Sequence, residues 1–152
     1  MRMGWMAPTA VLLLCGCARE PTPYQRAPTA WAKGFSETRI AEDTFYVSYR
    51  ANGRTPGRVV CGYLYRRAAE VTLRYGYRYF AVIRGPRMPM GLEVQGVYSE
   101  DRDGWEPTVV EAPVTGTLFM TIQCLKEVQE VPGAHPIDAK SYLENNRNPW
   151  TW

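Results

Sequence analysis

The sequence predicts an α+β fold, in which a small sheet of three or four strands carries one long and one short helix packed on one face. Two segments with a period of two, at 44–50 and 115–127, and one segment with a helical period, at 58–76, lead to this prediction. A length of 152 residues and a hydrophobic content of 45% suit one domain of ordinary globular composition.

The first predicted strand is residues 44–50, TFYVSYR. Phe45, Val47 and Tyr49 alternate with more polar residues, which is typical of a strand with one buried face. The next segment, 51–57, contains Asn-Gly and Pro-Gly pairs, which favour a turn.

The long helix is predicted at residues 58–76. Its expected inward face comprises Cys61, Leu64, Tyr65, Ala68, Val71, Thr72 and Tyr75. Its expected outward face comprises Tyr63, Arg66, Arg67, Glu70 and Arg74, with Arg66–Glu70 and Glu70–Arg74 spaced to pair. Gly76 stands where a left-handed helix cap is favoured.

The remaining elements follow from similar patterns. A second strand is predicted at 77–84 and a third at 115–127, in which Leu118, Met120, Ile122 and Cys124 share one side. Residues 85–114 predict a long loop with a short strand near 92–98, and loops of that length are commonly functional or mobile. Residues 135–146 predict the short closing helix.

The first residues have the layout of a signal peptide. Arg2 precedes an apolar stretch of about a dozen residues, shorter than the roughly 20 that a spanning helix needs. The end of this stretch, Leu14-Cys15-Gly16-Cys17, resembles the lipobox of bacterial lipoproteins. The resemblance implies cleavage after Gly16, a diacylglycerol on the Cys17 thiol and an acylated amino group on Cys17.

The resemblance also sets the expected domain boundaries. Residues 1–16 are the signal peptide, 17–33 the acylated cysteine and a Pro-rich tether, 34–147 the α+β domain and 148–152 an aromatic tail. Two acyl chains anchor a protein stably, whereas one binds marginally. The alternative is an ordinary cleaved signal peptide whose cysteines are incidental.

A second resemblance covers most of the expected mature chain. The segments GFSETRIAEDTFYVSYRANG, RRAAE, YGYRYFAVI and IDAK resemble an uncharacterised family of small Gram-negative envelope lipoproteins, over 34–83 and 118–145. This resemblance implies the fold and an envelope location, and it brings no known activity. By resemblance to Gram-negative sorting, Ala18 favours the outer membrane over the inner one, with the domain facing the periplasm.

Two thiols would remain after removal of Cys15 and acylation of Cys17. Cys61 and Cys124 both lie on predicted inward faces, one on the helix and one on the third strand. Two interpretations stay open: a disulfide formed in an oxidising compartment, or two separate buried thiols that act as small hydrophobic residues.

Arg66, Arg67, Arg74 and Arg78 are candidates for contact with an anionic surface, such as lipopolysaccharide phosphate or anionic lipid. The net charge of +3 is too small to indicate nucleic-acid binding. The tyrosines interleaved with these arginines are expected to face the core rather than stack on bases.

Nothing in the sequence predicts an enzyme, a cofactor or a metal site. A catalytic thiol needs a partner base, and the single histidine, His135, lies in a Gly/Pro turn. One histidine and two cysteines lack the spacing of a zinc site. The acidic loop with Asp101 and Asp103 lacks the twelfth-position ligand of an EF-hand.

The expected function is therefore that of a membrane-anchored periplasmic lipoprotein with a structural or interaction role in the envelope. Its expected partners are the membrane, through the N-terminal anchor, and an envelope protein, lipid or peptidoglycan. The alternative is a binding module that takes a hydrophobic ligand, a lipid or an envelope glycan through residues 85–114. The sequence leaves the oligomeric state open.

Overall fold

The structure is a computed structural model, and it describes residues 20–87, 96–99, 104–107 and 113–147. The elements in chain order are β1 (Gly34–Arg39), β2 (Thr44–Pro56), α1 (Gly57–Arg74), β3 (Tyr79–Arg87), β4 (Gly96–Ser99), β5 (Gly104–Pro107), β6 (Pro113–Leu125), β7 (Pro136–Asp138) and α2 (Ala139–Asn145). The α+β class predicted from the sequence is confirmed.

Five strands form one antiparallel sheet in the order β1-β2-β6-β3-β7, and β4 pairs with β5 separately. The prediction of three or four strands did not include β1 or β7. Both are short, and β7 occupies the beginning of the segment that was expected to be helical throughout. The helical part of that segment is α2, where the Asp138 side chain caps the helix by accepting a hydrogen bond from the Ser141 N–H.

The strand β2 continues through the segment that was predicted to turn. Its pairing with β6 runs from Thr44↔Gln123 to Pro56↔Pro113, with a bulge between Asn52 and Thr55. Gly53 lies in this bulge with φ 77°. The Asn-Gly pair therefore bends the strand instead of reversing it, as an extra residue in one strand of a pair does.

The core lies between the sheet and the two helices. The predicted inward residues of β2 and β6 are buried as expected: Phe45, Val47, Tyr49, Leu118, Met120, Ile122 and Cys124. Helix α2 contributes Tyr142, whose ring lies 6.1 Å from Tyr65 and 6.3 Å from Phe80. Aromatic side chains thus supply much of the core of a short chain.

More than one face of helix α1 is buried. Tyr63 and Arg67, which were predicted to face outward, are 0% and 3% exposed, whereas Tyr75, which was predicted to face inward, is 42% exposed. The Gly76 prediction is confirmed: Gly76 has φ 79°, and its N–H and that of Tyr77 donate to the carbonyls of Leu73 and Thr72. This arrangement is a Schellman motif.

Residues 20–27, which were expected to belong to a free tether, pack against the domain, and we call them the N-terminal strap. Their main chain accepts hydrogen bonds from the Asn52 amide at Glu20 (2.6 Å) and from the Tyr49 hydroxyl at Pro23 (2.7 Å). The Thr22 N–H donates to Thr55 Oγ1 at 3.0 Å. The strap is therefore attached to side chains of β2 around and beyond the point where Gly34 begins β1 opposite Arg50.

The strap crosses the first residue of β1 at close range. The Phe35 N–H donates to the Gln25 carbonyl at 2.8 Å, and the Ala27 N–H donates to the Phe35 carbonyl at 2.9 Å. Gly34 has φ 125°, and a Cβ atom there would overlap the Gln25 carbonyl and lie 3.0 Å from the Ala27 nitrogen. A glycine is therefore required at this crossing.

Candidate functional site

Three of the four arginines singled out in the sequence meet in one group of ion pairs. Arg66, Arg67 and Arg74 converge with Arg26 on the carboxylates of Glu37 and Glu70. We call these six residues the arginine cluster. The fourth candidate, Arg78, lies elsewhere and donates to Asp138 at 3.1 Å.

Arg67 is the centre of the arginine cluster, and its side chain is 3% exposed. Its Nη2 and Nε donate to the two oxygens of Glu37 at 2.8 and 3.2 Å, and its Nη1 donates to Glu70 at 2.8 Å. The guanidinium carbon also lies 4.4 Å from the centre of the Phe35 ring. Bidentate pairing and ring contact together compensate for the loss of water around a buried charge.

Glu37 joins the strand β1 to the N-terminal strap and, through two arginines, to helix α1. Besides Arg67, it accepts hydrogen bonds from Arg26 of the N-terminal strap and from Arg74 Nη1 at 3.2 Å. The predicted Glu70–Arg74 pair is thus replaced by a pair between Arg74 and Glu37. The carboxylate of Glu37 is surrounded by guanidinium groups and needs no further partner.

Glu70 links the strap to helix α1. It accepts hydrogen bonds from the Tyr24 hydroxyl at 2.6 Å, from Arg67, and from Arg66 Nε at 3.1 Å, so the predicted Arg66–Glu70 pair is confirmed. Burial opposes ionisation of Glu70, but the hydrogen bonds from Tyr24, Arg67 and Arg66 outweigh it and hold the Glu70 pKa below its ordinary value. Burial, and then the bond to Glu70, raise the pKa of Tyr24.

The arginine cluster attaches the strap to helix α1 and to β1, and it encloses one of its four arginines. Arg67 is enclosed, which argues against a contact between Arg67 and a lipid or phosphate surface. Arg66 lies 4.9 Å over the Tyr24 ring, and Arg74 and Arg78 each bind a carboxylate. Arg67 thus serves the fold, whereas the side chains of Arg66, Arg74 and Arg78 are 33%, 52% and 66% exposed, and their contact with an anionic surface stays a prediction.

The sequence patterns did not identify Arg26 or Glu37 as members of this cluster, or Tyr24 as a partner of Glu70. One signal was available for Glu37, because it lies two residues after Phe35 and a strand places such residues on one face. A carboxylate on the buried face of a strand calls for a cationic partner. Tyr24 and Arg26 carry no such signal, since the strap has no period.

The two candidate disulfide cysteines are both buried, and both are free thiols. Cys124 Sγ lies 3.4 Å from Thr72 Oγ1. Cys61 precedes Thr72 by eleven residues in α1, which is about 16 Å along a helix. A disulfide needs Cβ atoms about 4 Å apart, so the structure places the two thiols in separate parts of the core.

Burial makes both thiols weaker acids than an ordinary cysteine. It raises the pKa of Cys61 to about 12. It also raises the pKa of Cys124 to about 11, in spite of the contact with Thr72. A thiol that stays protonated at neutral pH is a poor nucleophile, so both cysteines behave as packing residues.

An open depression lies where β2 begins and β6 ends. Its lining comprises Ala41, Glu42, Asp43, Tyr77, Cys124, Leu125, Lys126, Glu127 and Gln129. The Asp43 carboxylate accepts from Gln123 Nε2 at 2.9 Å and from Thr44 Oγ1 at 2.8 Å, and the Gln123 bond chiefly lowers its pKa. Within the described ranges, no group of three or more histidine, cysteine or acidic side chains is placed to hold a metal ion.

Several predicted features lie wholly or partly outside the described residues. Gly16, Cys17 and the aromatic tail 148–152 are among them. The predicted loop 85–114 is described at its two ends and at the β4–β5 hairpin, and the short strand expected near 92–98 overlaps β4.

Comparison with known proteins adds no family to this description. The chain matches no protein-family model, no curated protein and no solved structure. Within the described ranges, neither helix combines the length and the apolar content that crossing a bilayer requires. The function is therefore argued from the residues themselves.

Proposed function

We propose that this protein is a lipid-anchored protein of the bacterial envelope, attached through acylated Cys17 and acting through non-catalytic contacts at the membrane surface. The observation that carries the proposal is Leu14-Cys15-Gly16-Cys17 at the end of an apolar run, directly ahead of the N-terminal strap. Cleavage after Gly16 would leave Cys17 as the first residue, with two acyl attachment points on one residue.

The position of the strap supports this assignment physically. A lipid-anchored domain transmits any pull on the domain to its first packed residues. Here those residues are tied by main-chain hydrogen bonds to β1 and by hydrogen bonds between their main chain and side chains of β2. Tyr24 binds Glu70 and Arg26 binds Glu37, which adds the arginine cluster to these contacts. The anchor would thus be joined to the core by many contacts instead of one flexible segment.

The non-catalytic part of the proposal is supported by where the shifted pKa values lie. Glu70 and Tyr24 bind each other, and Arg67 is saturated by two carboxylates. The thiols of Cys61 and Cys124 are buried and protonated at neutral pH. Tyr24, Arg67, Glu70 and Cys61 therefore serve packing and pairing. Two groups with shifted pKa values, Asp43 and Cys124, border the open depression. Asp43 is held by hydrogen bonds from Gln123 and Thr44, and Cys124 is 1% exposed and protonated at neutral pH, so neither is presented there as a free base or nucleophile.

The envelope location, the preference for the outer membrane and membership of the resembled lipoprotein family belong to the same proposal. The binding of a hydrophobic ligand, lipid or glycan through residues 85–114 stays a prediction, because most of that segment lies outside the described residues.

The test compares Cys17→Ser with Cys15→Ser in a Gram-negative host. We expect the wild-type chain and Cys15→Ser to lose residues 1–16, to gain the mass of three acyl chains and a glycerol, and to enter the detergent phase of a detergent partition. We expect Cys17→Ser to gain no acyl mass. Intact mass spectrometry of membrane-extracted protein makes the measurement, and a wild-type protein that begins at Met1 without lipid contradicts the proposal.

A further inference from the structure

An exposed tryptophan and an arginine lie together near the start of the strap. Trp31 is 82% exposed, and the Arg50 guanidinium carbon lies 5.9 Å from the centre of its ring. Two residues further along β2, on the same face, Asn52 binds the Glu20 carbonyl. The cationic and aromatic pair is therefore close to the point where the N-terminal chain meets the domain.

Among the described residues, Arg50 and Arg54 at this end of the domain differ from the arginines of the arginine cluster in having no carboxylate partner. Arg26, Arg66, Arg67, Arg74 and Arg78 each bind a carboxylate. Across the part of the chain that the structure describes, no carboxylate lies within ion-pair distance of Arg50 or of the exposed Arg54. Their positive charge is therefore available to an external anion.

The length of chain ahead of the strap limits what this end can face. Only Ala18 and Arg19 separate Cys17 from Glu20, so the Cα atoms of Cys17 and Glu20 are at most about 11 Å apart. If the acyl chains of Cys17 lie in the bilayer, Glu20 and its partner Asn52 lie within that reach of the lipid headgroups. Tryptophan and arginine are the side chains that favour this layer, through an amphipathic ring and through phosphate contact.

We propose that Trp31, Arg50 and Arg54 form the membrane-facing surface of the domain and bind the phosphate groups of anionic phospholipids. This inference rests on the lipid anchor proposed above and goes beyond it, because it fixes which end of the domain faces the bilayer. The opposite end, with Lys126 after β6, would then point away from the membrane.

The test measures the distance of two labelled sites from the bilayer in the full acylated chain. A fluorophore on Thr115→Cys, which pairs with Asn52 in the sheet, reports the proposed surface. A fluorophore on Lys126→Cys, eleven residues along the chain and about 36 Å away if the strand is extended, reports the opposite end. Cys61 and Cys124 are buried and do not compete for the label in the folded protein.

Vesicles of phosphatidylcholine, with and without phosphatidylglycerol, would carry a quencher attached to the lipid headgroup. We expect strong quenching at position 115 and weak quenching at position 126 in the anionic vesicles. Arg50→Gln and Arg54→Gln should each lower the ratio of docked to undocked protein about fivefold. Trp31→Ala should lower this ratio as well, and Arg84→Gln, a matched loss of charge on an exposed residue of β3, should leave it unchanged.

Flotation with the vesicles separates the two proposals. Protein that floats but is quenched equally at both positions, or is unaffected by Arg50→Gln and Arg54→Gln, retains the anchor and overturns the membrane-facing surface. Wild-type protein that does not float overturns both proposals. Circular dichroism of each variant checks that a loss of quenching does not come from unfolding.

Discussion

At the scale of single residues, Arg67 shows why a charged side chain can occupy a core position. Its guanidinium meets two carboxylates and one aromatic ring, so its burial is compensated on every side that the structure describes. Removal of one partner from a buried ion pair is costly because the other charge stays behind without compensation. Arg67 is thus a stability residue, although its type and its position on the helical wheel suggested a surface one.

We expect Arg67→Met to lower the free energy of unfolding by about 3 kcal/mol, because Glu37 and Glu70 lose their most buried partner. The matched control is Arg66→Met on the same helix, whose side chain is 33% exposed and which we expect to cost about 1 kcal/mol or less. Urea unfolding followed by circular dichroism measures both. Equal effects of the two substitutions would contradict the assigned difference in burial.

The two core thiols give a second prediction at this scale. In the cleaved and acylated form that we propose, Cys61 and Cys124 should react with a thiol reagent only slowly at pH about 8, since burial raises both pKa values. In denaturant, two thiols per chain should react at once. Loss of two hydrogens in the intact mass, together with no reactive thiol in denaturant, would show a disulfide that the structure does not contain.

At the scale of the elements, the sequence predicted those with a strong period and missed those without one. The long strands β2 and β6 and helix α1 bury alternate or helically spaced residues, so their existence could be predicted from hydrophobic pattern. The strands β1 and β7 are six and three residues long, which is too short for a clear period. The Asn-Gly pair at 52–53 indicated a turn, but the pairing with β6 converts it into a bulge.

The strap explains why Tyr63 of helix α1 is buried, although the helical pattern predicted that it faces outward. A helical wheel assumes that one side of the helix meets protein and the other side meets water. Here the ring of Tyr24 in the strap lies 5.3 Å from the ring of Tyr63. The side of α1 that carries Tyr63 was expected to face solvent, and the strap covers it. The contribution of a segment without period to a core depends on tertiary contacts, and no local pattern encodes those contacts.

The strap also supports a prediction about proteolysis. We expect brief digestion with trypsin to leave the Arg26–Ala27 bond intact while the domain stays folded, because Arg26 pairs with Phe35 of β1 and with Glu37. Tyr24→Ala, which removes the hydroxyl bond to Glu70, should make this bond cleavable in the folded protein. Mass spectrometry identifies the products, and a dominant wild-type fragment beginning at Ala27 would mean that the strap is free.

At the scale of the whole molecule, the buried tyrosines and thiols make stability sensitive to alkali. Burial raises the pKa values of Tyr49, Tyr65 and Tyr142 above the ordinary value near 10. The folded protein therefore holds these protons more tightly than the unfolded chain does. Their contribution to stability is complete below about pH 10, and it falls as the pH rises toward the folded-state pKa values.

We therefore expect the free energy of unfolding to fall steeply above about pH 10, by up to about 1.4 kcal/mol per pH unit for each such tyrosine. Tyr65→Phe, which removes one of these protons, should make the fall shallower. Urea unfolding at a series of pH values measures how steeply the free energy of unfolding falls with pH. A fold that persists while every tyrosine titrates near pH 10 in the ultraviolet spectrum would contradict the burial described for these rings.

Gly34 has a consequence for how far the domain can travel. With the strap in place, at most about 11 Å of chain lies between Cys17 and the folded body. A methyl group at position 34 would collide with the Gln25 carbonyl. If the strap were released, the chain between Cys17 and the start of β1 could extend to about 55 Å. In the lipid-anchored protein that we propose, glycine at this position would therefore keep the domain at the membrane surface, and a larger residue would let it move further from the bilayer.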